Sequence, residues 1–231
     1  MTLDFSTLLP YTDVILEGLV TTLWLTVVTT VVGIALAVVV AYFRDSASDT
    51  ARDGRPSLVG RLLGGYVEVI RNTPFIVQLF FLFFGLPALG ISISAPVAAL
   101  LAMILNLGAY TAEILRAGID STLKGQHEAA RALGLSRLQS FRHVVLVPAF
   151  SRVYPSLISQ CIIVMLGSAV VSQISVFDLT YAANFIQSRN FRGFEVYLVA
   201  TAIYLLLAVG LRLLFEFVGR RLFAYRQGGS A

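Results

Sequence analysis

Four of the ionisable residues within the long apolar runs of this 231-residue sequence form two pairs with a spacing of three residues. Glu68 and Arg71 lie near the start of one run, and Glu113 and Arg116 lie near the end of another. Positions i and i+3, as for Glu113 and Arg116, share one face of a helix. Charged side chains inside apolar spans are costly and are usually paired or directed to water. The pattern predicts an ion-pair cluster that holds two helices together, with a gating role as the alternative.

Asp178 differs from these four because it follows the end of an apolar run. A carboxylate there is suited to the ammonium group of a bound substrate, but Asp is also a favoured N-cap of helices. Uncharged polar side chains within apolar runs can hydrogen-bond either a substrate or a neighbouring helix. We expect Asp178 to line a path with some of these residues, which are Thr73, Gln78, Asn106, Gln160 and Gln173.

Residues for enzymatic or metal chemistry are scarce. His127 and His143 are the only histidines, Cys161 is the only cysteine, and no C-x-x-C pattern occurs. A zinc site needs three or four such ligands, and an active site needs a nucleophile with a base or a metal. The sequence also lacks the glycine-rich phosphate loop G-x-x-x-x-G-K-[ST]. We therefore predict no metal, no cofactor bound by this chain and no enzymatic activity of its own.

The elements that position these residues are apolar helices. The chain is 57% hydrophobic and 13% charged, with a mean hydropathy of +0.83, whereas soluble domains are about 45–50% apolar and about 25% charged. A membrane-spanning helix needs about 20 mostly apolar residues. The sequence predicts one all-α polytopic domain over residues 1–231, with an amphipathic lead-in at 1–13 and five transmembrane helices. Their apolar runs are 14–43, 64–89, 95–117, 144–171 and 194–218.

Basic residues orient these spans. Fourteen lie in the connection after the first run, in the connection after the third and at the C-terminal end, against only Arg189 and Arg192 on the opposite side. The positive-inside rule then places the N-terminus outside and the C-terminus in the cytoplasm. The net charge of +4 is explained by this bias, so we expect no nucleic-acid partner. We also expect a polar loop over 44–61, and helix breaks or kinks at Pro74, Pro148 and Pro155.

The connection after the third run contains the most informative motif. Glu128 begins a short predicted helix with Ala129 and Ala130 as small contact residues, and Gly134 permits the turn that ends it. Ser136 can cap a second helix. Two short helices joined by a glycine turn would form a cytoplasmic projection, and an ordinary solvated loop is the alternative.

This segment resembles the EAA motif of ABC importer permeases, in which Glu-Ala-Ala is followed by three residues and a glycine. Other stretches resemble the polar amino acid permease branch, including Arg71-Asn72-Thr73-Pro74 and Gly108-Ala109-Tyr110. The matching blocks run from about residue 17 to residue 225. Two positions depart from the pattern. Pro148 stands one residue later than the usual Leu-Pro, and Leu166 stands where relatives often carry a Lys, which leaves the charge of the substrate open.

The resemblance implies a type I ABC importer-like permease in the bacterial inner membrane that moves amino acids, or close derivatives, into the cytoplasm by alternating access. Its implied partners are two ATP-binding subunits that hold ATP and Mg, an identical or similar second permease, an extracytoplasmic binding protein and membrane lipid. The segment at about 118–143 would couple to the ATPase through Glu128, Ala129, Ala130 and Gly134. The alternative function is an ATP-independent channel or carrier for small polar solutes, which would have no use for such a segment.

Overall fold

A computed structural model describes residues 3–50 and 58–223 of the chain, and no β-strand occurs among them. Short 3-10 segments cover Phe5–Tyr11 and Ser168–Ile174, and π-helical segments cover Phe81–Gly85 and Phe141–Leu146. The α-helices are α1 (Thr12–Thr50), α2 (Leu58–Arg71), α3 (Phe75–Phe80), α4 (Leu86–Ala88), α5 (Ala95–Asp120), α6 (Lys124–Ala132), α7 (Arg137–Ser140), α8 (Val147–Gly167), α9 (Leu179–Asn190) and α10 (Gly193–Leu222).

Several of these helices are long and apolar enough to cross a membrane. Four continuous stretches qualify, namely Phe5–Arg44, Ala95–Asp120, Arg137–Ile174 and Gly193–Leu222. The pair Leu58–Arg71 and Phe75–Ala88 qualifies jointly, although its two parts are bent by 110°. With the bent pair counted as one span, the described residues contain the five transmembrane segments that the sequence predicts.

α5 is the central helix of the bundle, and it packs along α1, α2 and α8. Its buried face is built largely from alanine, including Ala98, Ala99, Ala109 and Ala112, each at most 1% exposed. Small residues let helix backbones approach closely, which favours helix association where the surrounding lipid is as apolar as the side chains. By contrast, many leucines and valines of α1 and α10 are exposed on the outside of the bundle.

The predicted break at Pro74 is present. α2 ends at Arg71, and Pro74 has the extended backbone angles φ −62° and ψ 138° before α3 begins at Phe75. Proline lacks a backbone N–H and disfavours helical angles at the preceding residue, so the helix cannot continue through it. The chain stays helical through Pro148 and Pro155, because both lie within the continuous helical stretch Arg137–Ile174.

Two boundaries differ from expectation. The predicted polar loop over 44–61 is wrong at both ends, because α1 continues through Arg44 to Thr50 and α2 already begins at Leu58. The residues from Arg44 to Thr50 include no glycine or proline, and such breakers first occur at Gly54 and Pro56. Arg52 and Arg55 of this loop lie outside the described residues, as does Arg226 at the C-terminal end.

The predicted lead-in at 1–13 lies outside the described residues at its first two positions. Phe5–Tyr11 forms a 3-10 helix that runs directly into α1, with Leu8 buried and Leu9 exposed. Asp4 caps this helix by accepting a hydrogen bond from the Ser6 N–H at 3.0 Å. The Ser6 hydroxyl also donates to this carboxylate at 2.6 Å, and these bonds lower the pKa of Asp4.

Candidate coupling segment and substrate path

α6 is the first part of a projection that joins α5 to α8. Glu128 and Ala129 are exposed, whereas Ala130 is only 2% exposed, and α6 packs on the π-helical segment Phe141–Leu146. The helix therefore buries one small residue against the bundle and presents the other two residues of the motif to solvent. Leu133, at the end of the same helix, is 78% exposed, which adds an apolar side chain to this free surface.

The end of α6 follows the Schellman pattern of helix termination. The Leu135 N–H donates to the Ala130 carbonyl oxygen at 3.1 Å, and the Gly134 N–H donates to the Arg131 carbonyl oxygen at 3.0 Å. Gly134 has a φ of +70°, a left-handed conformation that glycine adopts at little cost. Gly134 thus turns the chain back toward the bundle, as its position in the sequence predicts.

α7 begins with a capping box between Ser136 and Gln139. The Gln139 N–H donates to the Ser136 hydroxyl oxygen at 3.4 Å, and the Ser136 N–H donates to the Gln139 side-chain oxygen at 2.8 Å. These reciprocal bonds satisfy two of the N–H groups that lack partners at a helix start. The predicted cap at Ser136 is therefore present, and the segment is a helix–turn–helix rather than a plain loop.

Arg152 ties α8 to the last turn of α5. Its Nη1 atom donates to the Ser121 carbonyl oxygen at 2.9 Å and to the Ser121 hydroxyl oxygen at 2.8 Å. The last carbonyl groups of a helix lack partners within the helix and carry partial negative charge, which a cation stabilises. Ser121 lies three residues before α6 begins at Lys124. The base of the projection is therefore fixed to both α5 and α8.

Glu113 is the centre of the charged cluster, as three arginines from three helices surround its carboxylate. Arg44 of α1 lies 3.2 Å from it and Arg71 of α2 lies 3.8 Å from it, while Arg116 contacts it from within α5. Arg116 also pairs with Asp120 at 2.7 Å. The carboxylate is 19% exposed, so it joins three helices from a partly buried position.

Glu68, which was predicted to belong to this cluster, forms no ion pair with its arginines in the described part of the chain. Its carboxylate instead accepts a hydrogen bond from the Asn72 side chain at 3.0 Å. The same Asn72 amide donates to the Glu68 carbonyl oxygen at 2.8 Å. Glu68 and Asn72 therefore close the end of α2, immediately before the bend.

Three of the polar residues predicted to line a path meet at the bend between α2 and α3. The Gln78 amide donates to the Ile70 carbonyl oxygen at 2.7 Å and to the Thr73 carbonyl oxygen at 3.0 Å. Asn106 of α5 donates to the Gln78 side-chain oxygen at 3.1 Å. The Gln78 side chain thus replaces the backbone donors lost at Pro74, and it holds the bend against α5.

A cavity of about 360 Å³ adjoins this bend. Thr73 and Gln78 are its two polar lining residues, and the others are apolar side chains of α2, α3 and α5 and the segment that follows α3. The cavity is large enough for a small solute, and it contains no charged lining residue. The two polar residues of its lining, Thr73 and Gln78, are already hydrogen-bonded to each other. This arrangement favours a structural role for Gln78.

Asp178 is fully buried and caps α9, as the second interpretation of its sequence position predicts. Its carboxylate accepts hydrogen bonds from the Tyr181 N–H at 2.8 Å and from the Tyr204 hydroxyl at 3.1 Å. Thr22 of α1 accepts a hydrogen bond from the adjacent Leu179 N–H at 3.1 Å. A polar network therefore joins α1, α9 and α10 in the interior of the bundle.

The remaining two predicted path residues lie elsewhere. Gln160 is 9% exposed on α8, and Gln173 is exposed in the 3-10 segment after α8, where it donates to Ser172 at 3.4 Å. No hydrogen bond among the described residues joins either glutamine to Asp178 or to the bend. The predicted set is thus divided into one cluster at the bend, one network at Asp178 and two separate glutamines.

Several partners in these clusters were not identified from the sequence. Arg44 and Arg152 were counted only as basic residues that orient the chain, and Thr22 and Tyr204 were not singled out. All four act across large sequence separations, for which the sequence carries no local signal. No group of three or more potential metal ligands occurs within residues 3–50 and 58–223.

The family model for the inner membrane component of binding-protein-dependent transport systems matches residues 33–224. The chain belongs to this permease family. The permease is similar to the arginine transport system permease protein ArtQ of Bacillus subtilis, with 34% identity over 96% of this chain and 98% of that protein. It is also similar to the glutamine transport system permease protein GlnP of Escherichia coli K12, with 33% identity over 96% of this chain and 99% of that protein.

A solved structure supports the same family at the level of the fold. A crystal structure of an amino acid ABC transporter with histidines contains a chain that is 35% identical to the permease. The match has a TM-score of 0.81 and covers 96% of the permease and 100% of that chain. The predicted all-α, type I ABC importer-like fold is therefore confirmed.

Proposed function

We propose that this permease is the membrane subunit of an ATP-driven importer that moves amino acids, or close derivatives, into the cytoplasm by alternating access. The observation that carries the proposal is the preformed projection of α6 and α7, which exposes Glu128 and Ala129 on a base fixed by Arg152. The names of the similar proteins, which refer to arginine and glutamine transport, support amino acids as the substrate class.

The proposed partners follow from this assignment. Two ATP-binding subunits would supply the energy and hold ATP and Mg, because the sequence has no phosphate loop of its own. An identical or similar second permease would complete the path, and an extracytoplasmic binding protein would deliver the substrate. We place the α6–α7 end and the C-terminus in the cytoplasm and the N-terminus outside a bacterial cytoplasmic membrane, in line with the positive-inside rule.

The proposed coupling begins where an ATPase would contact Glu128 and Ala129. Ala130 and Gly134 belong to the coupling site because one is packed against the bundle and the other sets the direction of the chain. Movement of α6 would pull on the end of α5, which Arg152 holds to α8. Glu113 would carry the same movement to α1 and α2 through Arg44 and Arg71. The four helices then shift together.

The proposed substrate path includes Asp178 and the polar groups at the bend. Thr73, Gln78 and Asn106 line or adjoin an uncharged cavity, which is suited to a neutral side chain rather than a charged one. Gln160 and Gln173 remain further candidates from the sequence alone. Glu68, Arg71, Glu113 and Arg116 are proposed to hold or gate the path at the coupling end.

The decisive experiment separates an importer from an ATP-independent carrier. The permease is purified together with the ATPase whose gene neighbours its own. The complex is reconstituted into vesicles with the binding protein, and amino acid uptake is measured with and without ATP. We expect ATP-dependent uptake that Glu128→Arg abolishes while expression and membrane insertion stay intact, with Glu128→Gln as the matched variant that removes the charge but keeps the shape. Uptake without ATP that survives Glu128→Arg would support the carrier and reject the importer.

A further inference from the structure

A second cavity, unrelated to the bend, opens between α8 and α10. It has a volume of about 680 Å³ and is lined by apolar side chains of α8 and by a charged face of α10. Ile158 and Ile162 form the apolar side, while Arg212, Glu216 and Arg220 form the charged side. We call this cavity the α8–α10 groove. It lies at the end of the bundle that carries α6 and α7, because α8 begins and α10 ends there.

The charged face carries a net positive charge, because its two arginines are accompanied by only one glutamate. Arg212, Glu216 and Arg220 recur every four residues and therefore lie along one face of α10. Arg212 donates from Nε to Glu216 at 2.8 Å, which leaves its two terminal nitrogens without a hydrogen bond in the described part of the chain. Arg220 forms no ion pair or hydrogen bond with the described residues. The groove thus presents donors for an anion.

The depth of these arginines matches the headgroup region of a membrane. α10 has 30 residues and is therefore about 45 Å long, which exceeds the roughly 30 Å hydrocarbon core of a bilayer. Arg220 lies two residues before the end of α10, where a helix of this length reaches the interface. Arg212 lies about 12 Å further along the axis, and its long side chain can extend toward the interface.

One end of the groove is closed by a tight contact between α8 and α10. A Cβ atom at Gly219 would lie only 2.3 Å from the ring of Tyr154, so only glycine allows the two helices to approach this closely. The Tyr154 hydroxyl donates to the Phe215 carbonyl oxygen at 2.8 Å, and Phe223 packs edge-on against the Tyr154 ring at 5.2 Å. This contact fixes the spacing of the walls before any ligand enters.

We propose that the α8–α10 groove binds an anionic phospholipid. The phosphate accepts hydrogen bonds from Arg220 and from the free nitrogens of Arg212, and an acyl chain lies along Ile158 and Ile162. Arginine suits a phosphate because its planar guanidinium offers paired donors. Basic pockets between transmembrane helices are known binding sites for anionic lipid headgroups. Neighbouring exposed apolar residues of α10, Leu213 and Phe217, leave the groove accessible from the bilayer.

The test measures phosphatidylglycerol retained by the purified permease in its complex, by native mass spectrometry after exchange into nanodiscs of defined phosphatidylglycerol and phosphatidylcholine content. Arg212→Gln and Arg220→Gln are each expected to lower retention about fivefold. The matched control is Arg221→Gln, which removes the same charge from the same helix end. Arg221 lies over the Phe217 ring and does not line the groove, so its loss should leave retention unchanged.

A second variant tests the shape of the groove without changing its charge. Ile158→Trp fills the apolar side, and we expect it to lower retention of phosphatidylglycerol while the complex still assembles. Equal losses in the Arg221→Gln control, or full retention in all the groove variants, would overturn the proposal. A rise in the KM for amino acid uptake in Arg220→Gln with unchanged lipid retention would instead assign the groove to the solute. A disulfide from Ser159→Cys to the second permease would assign it to the subunit interface.

Discussion

The Nη1 atom of Arg152 lies 2.9 Å from the carbonyl oxygen of Ser121, which joins the beginning of α8 to the end of α5 directly before α6. We predict that Arg152→Ala uncouples the ATPase from uptake, because the base of the projection loses its link to α8. The lost charged hydrogen bonds should also destabilise the permease by about 2 kcal/mol. Uptake per ATP hydrolysed and thermal unfolding in nanodiscs measure the two effects.

The control for this prediction is Arg142→Ala, which removes an exposed arginine of the neighbouring π-helical segment. It should change neither quantity appreciably. Arg152→Lys keeps the charge but cannot reproduce the geometry of the guanidinium donors, so we expect partial coupling. If Arg152→Ala retains full coupling, the hydrogen bonds between Arg152 and Ser121 do not transmit the movement of α6.

Glu113→Gln tests the charged cluster. The amide cannot form the ion pairs with Arg44, Arg71 and Arg116. Arg44 and Arg71 then have no ion-pair partner among the described residues, while Arg116 keeps Asp120. We expect a loss of about 1–3 kcal/mol in stability, since the site is only partly buried and solvent screens it. The measurement is thermal unfolding at low and high salt.

Asp120→Asn is the matched control for Glu113→Gln, because it removes a carboxylate that pairs with Arg116 on the exposed side. An exposed pair of this kind contributes about 0.3–0.5 kcal/mol, so its loss should be small. Equal effects of the two variants would mean that the carboxylate of Glu113 does not hold the three helices together.

Gly134→Ala tests the turn that ends α6. The left-handed φ of +70° costs a residue with a side chain about 1–2 kcal/mol. We expect Gly134→Ala to weaken binding of the ATPase about tenfold, because α6 no longer ends in the same direction. Gly134→Asn should be milder, as asparagine tolerates this conformation. Co-purification of the ATPase at graded concentrations provides the measurement, and identical yields for both variants would contradict it.

Asp178→Asn separates the substrate role of Asp178 from its capping role. The asparagine oxygen can still accept from the Tyr181 N–H, so we expect the fold to be retained. Asp178→Ala loses the cap at a cost of about 1–2 kcal/mol, and the Tyr204 hydroxyl keeps its hydrogen bond with Thr180 at 3.0 Å. The uptake affinity of Asp178→Asn, measured beside its thermal stability, decides between the roles.

A drop in affinity in Asp178→Asn at unchanged stability would place the carboxylate on the substrate path. Gln173→Ala is the companion variant, since Gln173 is exposed and bonds only weakly to Ser172. If both variants leave uptake affinity and rate unchanged, neither residue belongs to the path, and Asp178 serves only to join α9 and α10.

The features that the sequence predicted correctly have local causes. Pro74 separates α2 from α3, Gly134 takes up a left-handed turn, and Ser136 caps the helix that follows it, since each effect involves only neighbouring residues. The five-span fold also follows from local composition, because a bilayer requires each apolar run to satisfy its own backbone.

The features that the sequence did not predict depend on tertiary contacts. Thr22 meets the Leu179 N–H across 157 residues, and Arg152 meets Ser121 across 31 residues. No periodicity or motif encodes such a pair. The continuation of α1 to Thr50 was missed for a different reason, because a polar composition was interpreted as a loop although the first helix breaker comes only at Gly54.

The local caps of the projection also affect the thermodynamics of association. The capping box of Ser136 and the Schellman turn at Gly134 order α6 and α7 through bonds within the segment itself. Ordering a flexible segment on binding would cost about 1–2 kcal/mol for each backbone residue fixed. This entropic cost does not arise on binding when the segment is already ordered in the free permease. A partner that docked on Glu128 and Ala129, as proposed, would meet a preformed surface, so its affinity would not be reduced by folding the segment.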